Sequence, residues 1–486
     1  MSEIELKFQI PEAFQDMIYQ DFCASKVYKQ RLLAHYYDTE DFQLAQQSIA
    51  LRLRLEQSHW IQTLKYKTAR QIERFEFESD LGKKKQPKLN LGVYQDHLDE
   101  LPTLLTTPDA AQKFQIKFST DVKRISKILL FNQSEIEVCL DIGHLVFQNE
   151  KLRIFEIEFE LVQGSIHDLI RCIEPWMNKY QLWLDTRSKS QRGDLHLQQQ
   201  DMLLPQYAEP ILLDQAMTTN SAVQIILNNT FKHFLPNATA LASGSYNSEH
   251  VHQARVAIRR MRSALKSYAH LVHNIPPYWA AQLRIIFQSL GHARDTDAIR
   301  ETLLPQLQQA GCSHLDIPNA ENYHNQIMWI FQSVETNQLI LELMDYMTSE
   351  PNLKNKKEKP FIKYAEKILK KTHQQIADDI GHFSQLEDEE KHMLRKRFKH
   401  LRYNIEFVRS LYRKKAVKHY LTAIKPIQEL LGQYNDLLVA EQFFHELPEN
   451  EEVTCAIHWL KQQEKQQLKH VDKQLKAFRK IKPFWA

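Results

Sequence analysis

The chain has 486 residues, 43% of them apolar and 25% charged, with a formal net charge of +3. That balance excludes a wholly disordered chain and leaves room for at least two hydrophobic cores. No apolar run reaches the roughly 18 residues that cross a bilayer, and Met1 leads into a strand pattern without a basic, apolar leader, so a soluble cytoplasmic protein with no membrane partner is expected. Residues 1–200 carry 26 Lys and Arg against 29 Asp and Glu, whereas residues 202–486 carry 37 against 30. The basic excess of the second part points to an anionic partner there. Cys23, Cys139, Cys172, Cys312 and Cys455 are scattered without a C-x-x-C pair, so neither a disulfide nor a zinc site is expected.

The first stretch, Ser2-Glu3-Ile4-Glu5-Leu6-Lys7-Phe8, alternates charge with hydrocarbon. On a strand this places Glu3, Glu5 and Lys7 on one face and Ile4, Leu6 and Phe8 on the other. Two carboxylates about 7 Å apart on one face repel unless a cation lies between them. Helical spacing follows over 12–27, and extended patterns return at 35–39, Ile49–Leu55, Thr63–Lys67, Arg74–Glu78, Phe118–Arg124, Glu135–Asp141 and Phe155–Leu161. A single charged strand face is usually the wet side of a sheet. Repeated Arg-x-Arg, Lys-x-Lys and Glu-x-Glu pairs suit instead a closed sheet with its charged faces turned inward around a highly charged ligand and metal.

The motifs Glu3-Ile-Glu-Leu-Lys7, Tyr37-Asp38-Thr39, Leu51-Arg-Leu-Arg54, Leu64-Lys65, Arg74-Phe-Glu76, Leu140-Asp141, Phe155-Glu-Ile-Glu-Phe-Glu160 and Arg187-Ser-Lys189 resemble, in order, the CYTH domain of the triphosphate tunnel metalloenzymes, over residues 1 to about 199. The resemblance implies an α+β domain with an eight-stranded antiparallel β tunnel that binds a linear triphosphate with divalent metal. Members of that family cleave inorganic or thiamine triphosphate, cap RNA or cyclise ATP. Carried onto this chain, it implies Glu3, Glu5, Glu156 and Glu158 as metal-handling carboxylates, and Glu5, Lys7, Glu156 and Glu158 as the catalytic set. Lys7, Arg52, Arg54, Lys65, Arg124 and Lys189 fall on phosphate-binding positions, with Glu76, Glu137 and Asp141 as supporting acids and Glu160 and Lys67 towards the rim. Mg²⁺ (or Mn²⁺), as two ions, suits sparse Glu-x-Glu pairs, because Mg²⁺ takes one or two carboxylates together with substrate phosphates and water. Arg suits two-point contact with phosphate and Lys acts as a point charge. Phosphoryl transfer needs positioning and charge more than a covalent nucleophile, and no Ser-His-Asp or Cys-His set is evident. Trp60, Tyr66 and Tyr37 are candidates for an aromatic mouth, although aromatics in alternating strands more often face an outer core.

Residues 200–212, with their glutamines and prolines, read as a linker, and beyond them helical spacing takes over. His252, Arg255, Arg259, Arg262 and Lys266 step by 3, 4, 3 and 4 and so stack on one helix face. His392, Arg395, Lys399 and Arg402 repeat the first four at an offset of 140 residues. Leu290-Gly291-His-Ala-Arg294-Asp295 is echoed by Leu431-Gly432-Gln-Tyr-Asn435-Asp436. An all-α bundle over 213–486 is expected, duplicated as about 213–350 and 361–486 and joined through 351–360. A basic helix face is ordinarily solvated, but surface helices intersperse acids to relieve like charge, and neither stripe contains one. Nucleic acid is disfavoured because no aromatics for base stacking accompany the stripes.

H-x-x-R-V-x-x-R-R-M-R, L-G-x-x-R-D-x-D, R-x-x-x-K-x-L-R-Y and L-G-x-x-N-D resemble the CHAD domain. This implies binding of inorganic polyphosphate through His252, Arg255, Arg259, Arg262, His392, Arg395, Lys399 and Arg402, whereas Arg294 and Asp295 read equally well as a structural pair. The whole reads as a metal-dependent inorganic triphosphatase tunnel with a polyphosphate-binding helical module, in the cytoplasm and open to association with polyphosphate granules. The alternatives are a thiamine triphosphatase or adenylate cyclase of the same fold, and a non-catalytic polyphosphate-binding protein.

Overall fold

A computed structural model describes residues 2–67, 73–94, 103–106, 110–200, 202–291, 299–312, 315, 323–349 and 360–485. Arg294, Asp295, the side chains of Lys67 and Arg74, and the expected joint at 351–359 lie outside the described residues. Two compact units are formed, one of residues 1–204 with 239–246 and 331–345, the other of 205–238, 247–330 and 346–486.

In the first unit nine strands form one antiparallel sheet: β1 (Ser2–Gln9), β2 (Tyr28–Asp38), β3 (Ile49–Glu56), β4 (His59–Lys67), β5 (Glu73–Asp80), β6 (Gln115–Phe131), β7 (Ser134–Val146), β8 (Lys151–Gln163) and β9 (Trp183–Leu184). Their order is β5-β4-β3-β2-β6-β7-β8-β1-β9, and a further pairing of β1 with β5 at Ser2↔Phe75 and Glu3↔Arg74 closes the first eight into a ring. The eight-stranded tunnel is therefore present, with the two-residue β9 added beside β1. Alternation drives the closure, because Leu6, Phe8, Leu51, Leu53, Leu64, Ile157 and Phe159 are all buried on the outer face while their neighbours point in. Helices α1 (Gln15–Cys23) and α2 (Ile166–Tyr180) help cover that face; Phe22 and Phe159 each lie 5.9 Å from the Trp176 ring.

Tyr37, Tyr66 and Trp60 also face outward. Tyr37 and Tyr66 pack on the cluster of Leu44, Ile49, Leu51 and Leu64, and Trp60 stacks on His35 at 5.5 Å. Asp38 is buried and its carboxylate accepts backbone N–H bonds from Thr39, Leu44 and Ala45, so the Tyr37-Asp38-Thr39 motif builds a turn.

Helix α3 (Lys189–Leu197) begins with a capping box: Ser188 Oγ accepts from Gln191 N and Gln191 Oε1 accepts from Ser188 N, both at 3.1 Å. This fixes Lys189 at the first helical position. Gly193 lets α3 lie against Phe118, since a Cβ there would come within 2.3 Å of the ring.

The second unit is helical in its described elements. The longer helices of the remaining chain are α4 (Thr219–Ala242), α5 (Ser248–Tyr268), α6 (Tyr278–Ser289), α7 (Val334–Thr348), α8 (Phe361–Gly381), α9 (Asp388–Val408), α10 (Lys414–His445) and α11 (Glu451–Phe478). The bounds of α5 and α9 differ by 140 residues at both ends, as do the 3₁₀ turns after them, Ala269–Leu271 and Arg409–Leu411. The duplication seen in the stripes is thus a duplication of elements.

One expectation fails here. Cys312 and Cys455 form a disulfide with Cα atoms 5.9 Å apart, within a cluster that includes Leu307, Leu437, Phe444 and Leu460. The partners lie 143 residues apart, one in each half of the duplication, and short-range cysteine spacing carries no signal for such a pair. Cys139 and Cys172 are buried as expected, Cys139 on the inward face of β7 opposite Glu158.

Candidate functional site

Residues directly opposite in neighbouring strands share a face, so the strand register identifies what lines the interior. Glu5 lies opposite Glu160, which lies opposite Glu137; Lys7 lies opposite Glu158; Glu156 lies opposite Asp141, which lies opposite Arg124. Lys65 pairs with Glu76, and Arg52 and Arg54 alternate with the buried outer leucines of β3. The charged residues expected from the sequence therefore line one closed channel.

The same faces change character along their length. Beyond Arg124, Asp141 and Glu156 they continue into Val122, Leu145 and Ile154, which pack with Ala34, Tyr36 and Phe118, while Leu197 of α3 leans on the group. In the other direction the β6 face ends at Ile128 and Leu130, 53% and 78% exposed. One end of the channel is filled with hydrocarbon and the other is wet.

Beside the filled end, Lys189 Nζ stands 2.8 Å from Asp141 Oδ2, 2.7 Å from Glu156 Oε1 and 2.6 Å from Glu158 Oε1. Arg124 holds Asp141 through two bonds of 2.8 and 2.6 Å and also bonds Glu158. Arg192 Nη1 reaches Glu156 Oε2 at 2.8 Å. Burial opposes charge on Glu156 and Lys189, but Lys189 and Lys7 hold Glu156 below the usual carboxylate range, and Asp141, Glu156 and Glu158 hold Lys189 well above the ordinary lysine value. Lys7 behaves differently: burial lowers its pKa despite Glu156 and Asp185, and its ammonium donates to the Arg187 carbonyl.

Elsewhere in the ring the inward charges pair with one another. Lys65 bonds both Glu3 oxygens, at 2.9 and 2.6 Å, and stands 3.0 Å from Glu76, whose carboxylate lies 3.9 Å from Arg52. Arg54 pairs with Glu56 and reaches Glu78 at 3.5 Å. Glu160 is pushed up to about 7 by burial, then by Glu3 and Glu5. Three carboxylates, Glu5, Glu160 and Glu137, thus stand abreast on neighbouring strands. Glu160 is half-buried on the inward face, between Glu5 and Glu137.

Oxygen-only donors in this arrangement fit a hard divalent cation. Among the described residues Asp141, Glu156 and Glu158 form a buried cluster with donor oxygens within 4.8 Å of one another, able to hold a metal once Lys189 engages another anion. Of the four carboxylates expected to handle metal, Glu156 and Glu158 belong to this cluster, while Glu3 is bonded by Lys65 and Glu5 stands opposite Glu160. Sequence reasoning missed Arg192, Asp185 and Gln9. Gln9 Nε2 donates to Glu156 at 3.1 Å and to Asp185 at 3.0 Å, contacts joining residues more than 140 positions apart.

In the second unit Arg255, Arg259 and Arg262 gather over the ring of Phe287 on α6, their guanidinium carbons 4.5, 5.7 and 5.9 Å from its centre. Lys399 of α9 faces the same group: burial, then Arg259 and Arg395, with Arg255 adding, push its pKa down to about 6. The two stripes therefore converge into one basic cluster. Arg395 lies 3.9 Å from Asp436, His392 Nδ1 is 2.7 Å from Asn435 Oδ1, and Arg402 is tied to Glu406 and Gln428 at the edge. His252 shares the face of α5 by its spacing.

The sequence profile of the CYTH domain matches residues 1–193 and that of the CHAD domain matches residues 225–445. This is a CYTH–CHAD protein. An inorganic triphosphatase of Haemophilus influenzae is 33% identical over 168 residues, covering 33% of this chain and 44% of that protein, so the match spans less than half of the relative. The CHAD domain of the plant Ricinus communis is similar in structure, with a TM-score of 0.48 and 26% identity over 56% of this chain and 97% of that one. A Hippeastrum protein named as a candidate adenylyl cyclase with a dominant triphosphatase activity gives a TM-score of 0.29 and 15% identity over 42% of this chain and 98% of its own. Among the described residues of this CYTH–CHAD chain no helix is long and apolar enough to cross a membrane.

Proposed function

We propose that the CYTH channel hydrolyses inorganic triphosphate to pyrophosphate and phosphate with a divalent metal, and that the CHAD unit binds inorganic polyphosphate. The observation that carries this reading is the convergence of Lys7, Arg52, Arg54, Lys65, Arg124 and Lys189 inside one closed ring of strands with carboxylates among them. A triphosphate is the small linear anion whose charge density can replace the carboxylates as partner of Lys189 and Arg124. Arg124 then makes two-point contact with phosphate oxygens, and Lys7 and Lys189 act as point charges on the scissile end. Glu156, Glu158 and Asp141, released from Lys189, together with Glu3, Glu5 and Glu160, would hold Mg²⁺ or Mn²⁺. The ion's chemistry there is neutralisation of phosphate charge and activation of water for in-line attack. Tyr37, Tyr66 and Trp60 belong to the outer core, so those residues offer no platform for an adenine or thiamine ring.

Phosphate release from tripolyphosphate, thiamine triphosphate and ATP, with Mg²⁺ and with excess chelator, tests the reading. Release from tripolyphosphate alone, stopped by chelator, is expected. Release from none of the three would leave a binding protein.

The Lys399 geometry makes a second testable statement. A lysine with a pKa near 6 is neutral at pH 8 and must take up a proton when a polyanion arrives. Binding of polyphosphate at pH 8 should therefore take up about one proton, and affinity should weaken as pH rises from 6. Calorimetry in buffers of differing ionisation enthalpy measures this; no proton uptake would remove Lys399 from the contact.

A further inference from the structure

The turn that carries Lys189 is held from two sides. Within the channel, Asp185 N donates to the Lys7 carbonyl at 2.9 Å. The Asp185 carboxylate accepts from Arg187 N at 3.0 Å and from its guanidinium at 2.9 Å, and Lys7 Nζ donates in turn to the Arg187 carbonyl. On the other side stands Asn337 of α7, in the segment 331–345 that belongs to the first compact unit although the CHAD match covers it. Its Oδ1 accepts from Leu184 N at 2.8 Å, and its Nδ2 donates to the carbonyls of Phe331 and Ser333 at 3.0 and 2.9 Å. Thr239 adds a hydroxyl contact of 2.9 Å to Thr186.

Asn337 is 1% exposed, and its oxygen and nitrogen are both engaged, so its amide has one orientation. Strand β9 is two residues long and pairs only at Phe8 and Gln9, too little to fix its own end. Leu184 is followed directly by Asp185, and Asp185 governs both the Arg187 carbonyl that takes Lys7 and the approach to the Ser188 cap that sets Lys189.

We propose that Asn337 is a positioning residue for the triphosphate site, acting through the 184–189 turn on Lys189; this rests on the reading of the channel as that site. No part of the chain before residue 200 supplies this contact, so a residue of the CHAD-matched segment completes the CYTH channel.

A double-mutant cycle in the full chain tests it. Asn337→Leu keeps the volume and removes both the acceptor for Leu184 and the donor to Phe331 and Ser333. kcat and KM for tripolyphosphate are measured with Mg²⁺, and tripolyphosphate affinity is measured by calorimetry in chelator, each in the parent and in the Lys189→Ala background. Asn337→Leu is expected to lower kcat/KM and affinity about 10-fold in the parent and less than about 2-fold in Lys189→Ala. Equal losses in both backgrounds would mean general destabilisation and overturn the proposal, as would no loss in the parent. Should the leucine variant fail to fold, Asn337→Ser, too short to reach Leu184, takes its place. A parent that binds tripolyphosphate non-additively in this way but never hydrolyses it would sink the enzymatic reading and leave the positioning role standing. A parent that does not bind it overturns both.

Discussion

Lys189→Ala is expected to lower tripolyphosphate hydrolysis by at least about 100-fold, the scale on which a preorganised charge facing a reacting oxyanion acts. The ammonium stands within 2.8 Å of three buried carboxylates, so its loss also leaves negative charge without a partner. Breaking a buried ion pair from one side costs about 3–5 kcal/mol, and a stability loss of that order at neutral pH should accompany the activity loss. The two effects separate with pH. In the parent, Asp141 and Glu156 have depressed pKa values, so their stabilisation is present above the unfolded carboxylate range and is lost as pH falls through the folded values. Without Lys189, Asp141 keeps Arg124 and Glu156 keeps Lys7 and Arg192, so these groups are less depressed and less stability is lost on acidification. Urea midpoints from pH 4 to 8 should therefore depend less steeply on pH in the variant than in the parent. Parallel slopes would show that Lys189 does not compensate the cluster.

Charge reversal of Arg259 and Arg262 together should reduce retention on immobilised polyphosphate by at least about 100-fold. Both guanidinium groups lie over Phe287, and Arg259 acts on Lys399 of the opposite stripe, so two glutamates there repel the polymer and pair with the bases meant for it. Far-UV circular dichroism checks that the helices persist. Retention should fall steeply with salt in the parent, since attraction between opposite charges is screened over about 8 Å at physiological ionic strength. Unchanged retention of the double variant would return the stripe to an ordinary solvated face.

Much of the channel was legible because strand periodicity is unforgiving. A side chain two residues from another on a strand shares its face, so Glu3, Glu5 and Lys7, or Arg52 and Arg54, could be assigned inward without coordinates. Strand lengths were less legible. Strand β6 runs over Gln115–Phe131, well past the alternation at 118–124, because Ile128 and Leu130 are hydrocarbon on the inward face at its wet end. Arg192, Asp185, the Cys312–Cys455 bond and Asn337 all depend on contacts spanning more than 30 residues, and no local pattern encodes them. The convergence of the two basic stripes is intermediate. Their spacing was visible, but not that Lys399 and Arg259 would meet.

Closure of the ring through β1 sets a schedule for synthesis. β1 pairs with β8, Glu5 meeting Glu160, so a strand made early waits for a partner about 155 positions later. At 5–20 residues per second that wait is roughly 8–30 s, long compared with hairpin formation, which takes microseconds. Unpaired strands left waiting recruit other chains, and charge along the strand is the usual protection. Glu3, Glu5 and Lys7 meet that need before any ligand arrives. The residues that later face a phosphate first serve as a guard for the nascent chain.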